Sequence, residues 1–128
     1  MSEPSAATIL IVDPEPLIVE SIAVALAANG YRTLQAMSRG IAQRMVNHDH
    51  VHVLISHGHL HGDSTPFSFA TEVSSAHPDM AIVAVTSDGH TDHAFVPERA
   101  RILLKPFDLS ELLIAIADAR ALARPASS

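Results

Sequence analysis

The chain predicts an α/β fold: a doubly wound, parallel, five-stranded sheet between two layers of helices. Two observations carry this. Short apolar runs alternate with stretches of helical period along all 128 residues. The runs are continuous rather than alternating, as expected of strands buried on both faces. A third observation adds to them: the residues that close the runs are polar, namely Asp13, His57, Thr86 and Lys105.

Thr8 to Val12 is the first strand and ends at Asp13. Glu15 to Asn29 comes next as a helix, with Ile18, Ile22, Ala25, Leu26 and Asn29 at helical spacing and Gly30 as its C′ stop. Tyr31 to Ala36 is a more polar second strand, suited to an edge. Ser38 to His48 is a second helix with Ser38 as N-cap. Val51 to Ser56 is the third strand. Thr65-Pro66 opens a third helix, with Pro66 at the first helical position, and it stops near His77 before Pro78. Ala81 to Val85 is the fourth strand and ends at Thr86. The fourth helix is short or irregular, because Asp88 to His93 is polar and Pro97 breaks the stretch beyond it. Arg101 to Leu104 is the fifth strand, stopped by Pro106. Asp108 caps a last helix to about Leu122, with Glu111 in the capping-box position and Leu112, Leu113, Ile116 and Leu122 as its apolar face. One domain is expected over residues 7–124, with flexible tails at 1–6 and 125–128.

Composition removes several function classes. With 48% apolar and 17% charged residues the chain is globular, not disordered. Without cysteine it has no disulfide framework and no thiolate metal site. Eight Lys plus Arg against a net charge of −6 leave no basic footprint for nucleic acid. No apolar run approaches the roughly 20 residues of a membrane helix, and the start Met-Ser-Glu-Pro-Ser has no signal-peptide core. The expectation is a cytoplasmic, non-membrane protein.

Lys105 is the only lysine, and it stands at the C-terminal mouth of a predicted strand. In open α/β sheets that is where ligands bind. Right-handed crossovers bring the ends of all the parallel strands to one side, so Asp13, His57, Thr86 and Lys105 should meet there.

At these positions the chain resembles the receiver domain of bacterial response regulators. The resemblance rests on Ile9-Leu10-Ile11-Val12-Asp13 with Glu15-Pro16, on Val53-Leu54-Ile55-Ser56, on Val83-Ala84-Val85-Thr86 and on Lys105-Pro106-Phe107. It covers nearly the whole chain. It implies a flavodoxin-like sheet in the order 2-1-3-4-5 and a part in two-component or phosphorelay signalling, with a histidine kinase or an output protein as partner and a homodimer as one form. In such domains an aspartate after the third strand accepts a phosphoryl group. Two acids after the first strand hold Mg²⁺, and a Thr or Ser and a Lys bind the phosphoryl oxygens. The chemistry needs this set, because phosphoryl transfer is mostly positioning and charge stabilisation.

The departures from the pattern fall on the chemistry. Asp13 fills the first acid position, but Pro14 fills the second. Counted without gaps, the acceptor position is His57; His61 stands where proline is usual and Thr65 where glycine is usual. Ile102 occupies the aromatic switch position, three before the lysine. The resemblance therefore implies a pseudo-receiver: a degenerate pocket of Asp13, Pro14, Glu15, His57, Thr86 and Lys105, with no catalytic residue, no Mg²⁺ and action through protein contact. Lys105 is expected to pair with Asp13, and His57 to hydrogen-bond Asp13 or Thr86. Ser56, a rival acceptor, points to the opposite face.

A second reading comes from the nine histidines. His57, His59 and His61 with Asp63 could bind a transition metal such as Zn²⁺, Cu²⁺ or Ni²⁺, and His50 and His52 precede them. The same loop could sense pH. The spacing matches no established zinc motif. Nor do the glycines Gly58 and Gly62 form a phosphate loop, and no nucleophile elbow of a hydrolase is present.

Overall fold

The computed structural model describes residues 6–87 and 93–123. In chain order it contains β1 (Thr8–Val12), α1 (Pro16–Ala28), β2 (Arg32–Ala36), α2 (Arg39–His48), β3 (Val53–His57), α3 (Ser68–Ala76), β4 (Ala81–Thr86), β5 (Arg101–Leu104) and α4 (Leu109–Leu122). The strands form one parallel sheet in the order β2-β1-β3-β4-β5. This is the expected three-layer arrangement. Between β4 and β5 the described chain contains a 3-10 turn, His93–Phe95, in place of a full helix. Part of the polar segment expected there, residues 88–92, lies outside the described residues, as do residues 1–5 and 125–128 of the expected tails and residue 124 of the expected domain.

Period-two alternation splits β1, β3 and β4 between two cores. Ile9, Ile11, Ile55, Val83, Val85 and Leu103 face α1 and α4. Leu10, Val12, Leu54, Ile82 and Ala84 face α2 and α3. On α1 the buried stripe is Val19, Ile22, Ala23 and Leu26, so the expected face is rotated: Ile18 is only partly covered, and Asn29 is the C-cap. On α4 the stripe is Leu112, Ala115, Ile116 and Ala119, while Leu122 stands half exposed.

The predicted caps hold. Ser38 Oγ accepts Ile41 N–H (3.3 Å), and Asp108 and Glu111 form a reciprocal capping box at α4. Gly30 follows α1 at φ 92°, a conformation open to glycine without steric cost.

Boundaries move most in β3 and α3. β3 starts at Val53 rather than Val51 and includes His57, which pairs with Val85. α3 starts at Ser68, not at Pro66. The reason is Phe67, which is fully buried among Leu10, Leu60 and their neighbours. It takes a left-handed conformation, φ 59°, and its N–H donates to Gly58 O (2.8 Å). A left-handed residue costs ~1 kcal/mol or more, while burying a phenylalanine gains ~2–3 kcal/mol. Burial wins, and the helix begins at Ser68, two residues later than expected.

The short β4–β5 connection is tied down by Arg99. Its guanidinium donates to the carbonyls of Ser74 (3.0 Å) and His77 (2.7 Å) and to that of Met80. These are carbonyls at and beyond the C-terminal end of α3, which the helix itself leaves without partners.

Candidate functional site

The strand ends converge as expected. β1 runs out at Asp13, whose N–H continues the ladder to Ala36 O (3.2 Å). Its carboxylate is fixed from two sides. Oδ1 accepts Glu15 N–H (2.9 Å), a local Asx-type turn, and Oδ2 accepts Lys105 Nζ (3.1 Å). Asp13 is 4% exposed. A carboxylate buried to that depth without a counter-charge costs several kcal/mol, so the ammonium is what makes its place tenable. Lys105 is itself held, because its N–H donates to Thr86 O (2.8 Å). Thr86, at the end of β4, is buried. The Lys105–Pro106 peptide bond is cis.

The third-strand position departs from expectation. His57 bonds neither of the two residues proposed for it: its Nδ1 accepts the N–H of His59 (3.1 Å). The imidazole closes a turn with the backbone two residues on, and its ring lies 6.1 Å from that of His59 at a 60° angle. Ser56 does point to the other face; its buried Oγ donates to His57 O (3.1 Å). Pro14 and Glu15 are exposed, and Glu15 is the N-cap of α1 without a capping side-chain bond.

The histidines do not gather. His50 and His52 sit at the start of β3 and His57 at its end, so the strand separates them by roughly 16 Å. His61 is exposed, and Asp63 turns away from it to Arg39, with Oδ1 2.6 Å from Nη1. Among the described residues no three His, Asp or Glu side chains come together as a metal site. A hard cation needs oxygen ligands. The mouths of β1 and β3 offer one carboxylate already engaged by Lys105, a proline ring and an imidazole. These residues do not fit Mg²⁺.

Two features were not foreseen. Arg39, at the first position of α2, joins three elements: Nη1 bonds Asp63 and Ser68 Oγ (3.2 Å), and Nη2 bonds Glu72. Glu72 and Asp63 push the arginine's proton affinity up, and Arg39 pulls the Glu72 carboxyl down. This network ties the loop after β3 to α2 and α3. A cation at a helix N-terminus opposes the dipole, so Arg39 was the signal that some acid lay nearby. The second feature is an apolar cleft of about 570 Å³ beside Lys105, walled by Ile18, Ile22, Pro106 and Phe107.

Comparison with known proteins agrees with this fold. The sequence matches the description "Response regulator receiver domain" over residues 9–117. A response regulator receiver domain protein from Clostridium thermocellum is 27% identical, with a TM-score of 0.78, covering 90% of this chain and 94% of that one. The receiver domain of an HD domain-containing protein from Pseudomonas fluorescens Pf-5 is 22% identical, with a TM-score of 0.82 and coverage of 94% and 91%. The response regulator TrrA from Thermotoga maritima, solved in complex with Mg²⁺ and BeF, is 21% identical, with a TM-score of 0.77 and coverage of 88% and 98%. No curated protein sequence matches the chain. No helix among the described residues is long and apolar enough to cross a membrane.

Proposed function

The chain belongs to the response regulator receiver domain family, and we propose that within it this is a pseudo-receiver: a signalling module that works by protein contact and is not switched by aspartyl phosphate. The observation that carries the reading is the pairing at the strand mouths. Lys105 faces Asp13, not a phosphoryl acceptor, and the end of β3 carries an imidazole folded onto its own loop. Asp63, a second buried carboxylate on this side, is taken by Arg39. The receiver unit spans residues 7–124, and its partner is a histidine kinase or an output protein.

Acetyl phosphate with Mg²⁺, followed by intact mass, tests this. No phosphoryl adduct is expected. His57→Asp alone should not restore efficient labelling, because Pro14 still supplies no metal ligand. The same holds for beryllofluoride, which the Thermotoga protein binds with Mg²⁺: no protection against unfolding is expected. A stoichiometric adduct on the wild-type chain overturns the proposal.

A further inference from the structure

The starts of three strands meet at one residue, His52, whose ring binds the first and whose backbone binds the first and the third. Thr8 N–H donates to His52 Nδ1 (2.9 Å), and His52 N–H donates back to Thr8 O (2.9 Å). His52 O then accepts Ala81 N–H (3.0 Å) at the start of β4. A ring nitrogen that accepts a hydrogen bond carries no proton, so this joint needs a neutral imidazole with its proton on Nε2. Thr8 is buried. Protonating His52 would set an N–H against the Thr8 N–H and leave that donor without a partner.

The groups facing His52 come from four places. The His50 ring stands 4.5 Å away, tilted by 40°. Arg120 of α4 and Asp79 of the turn before β4 act on it through their charge. Arg32 of β2 and Asp49 line the same cleft with Thr8 and His50. We propose that His52 is a proton-sensitive latch on the start of β1, closed at neutral pH and opened by acid. Burial, then the charges of His50 and Arg120, push its proton affinity down from the ordinary 6.5, against a smaller opposing pull from Asp79.

Linkage sets the sign. Above pH 6.5 His52 is neutral in both the folded and unfolded chain, and the latch contributes fully. Below it, the unfolded chain takes up a proton that the folded chain refuses, so stability falls with pH. Once pH passes the lower folded value, the imidazole protonates in place and the joint opens. None of these residues belongs to the strand mouths, so the latch stands or falls apart from the pseudo-receiver reading.

The test is nuclear magnetic resonance on the full chain from pH 8 to 5, following the His52 ring nitrogens and amide exchange together. The expected result is an Nε2–H tautomer at neutral pH and a His52 titration below 6.5. Across that titration the amides of Thr8 and His52 lose protection while those of Leu10 and Leu54 keep theirs. His52→Asn keeps an acceptor oxygen near the place of Nδ1 but does not titrate, so Thr8 protection should become independent of pH. A His52 that titrates at or above 6.5, a Thr8 amide indifferent to that titration, or an unchanged pH response in His52→Asn overturns the latch.

Discussion

A histidine stands at each end of β3, His52 just before it and His57 as its last residue, and each ring accepts a backbone N–H on Nδ1. At the start, His52 takes the N–H of Thr8, 44 residues away, and so joins two strands. At the end, His57 takes the N–H of His59, two residues away, and closes a turn at the surface. The chemistry of the two bonds is the same, but their worth to the fold is not. The first satisfies a donor on a buried residue; the second competes with solvent, and its loss costs little. At the His57 end the loop is held by other means: buried Leu60 and Phe67, and the Arg39 network.

The difference can be pressed hardest at Phe67. Phe67→Ala should destabilise the fold by ~3–5 kcal/mol in chemical denaturation, because a fully buried aromatic leaves a cavity. A loss below ~1 kcal/mol would mean that the loop after β3 does not depend on this anchor. Next comes the ion pair at the strand mouths. Lys105→Ala leaves the Asp13 carboxylate buried without its cation, and the loss should be ~1–3 kcal/mol. Adding Asp13→Asn should recover part of that, since the amide still accepts Glu15 N–H and carries no charge. A double variant weaker than the single one would break this account. The smallest effect is the most direct comparison. His52→Ala should cost ~1–2 kcal/mol at pH 7.5, and His57→Ala should stay within ~0.5 kcal/mol. Equal losses from both would erase the distinction between the two ends.

Much of this was legible in the residues. The strand runs, the caps Ser38 and Asp108, Gly30 as a stop and the pairing of Asp13 with Lys105 each follow from local chemistry or from strand ends that must share one side. What escaped depends on three-dimensional burial. Pro66 suits a first helical position, but Phe67 finds a pocket that only the folded sheet supplies, and it displaces the helix start. His57 could reach several acceptors and donors; the nearest amide took it. The His-rich run looks like one cluster when read as text, yet an extended strand pulls its two halves apart. Arg39 meets Asp63 and Glu72 across 24 and 33 residues, a distance no local pattern spans.

The strand order also governs how this chain leaves the ribosome. β1 is made first but lies between β2 and β3, and its Ile9 and Ile11 belong to the layer that Leu112 and Ile116 complete. The layer under α2 and α3 draws on residues up to Ala100 and can close early. The other stays open along Val83, Val85 and Leu103 until α4, at Leu109–Leu122, has emerged. A nascent chain stalled before residue 109 therefore leaves the β4–β5 half of this face, which α1 does not reach, open to solvent, the kind of surface that holdase chaperones recognise and that drives aggregation when they are scarce.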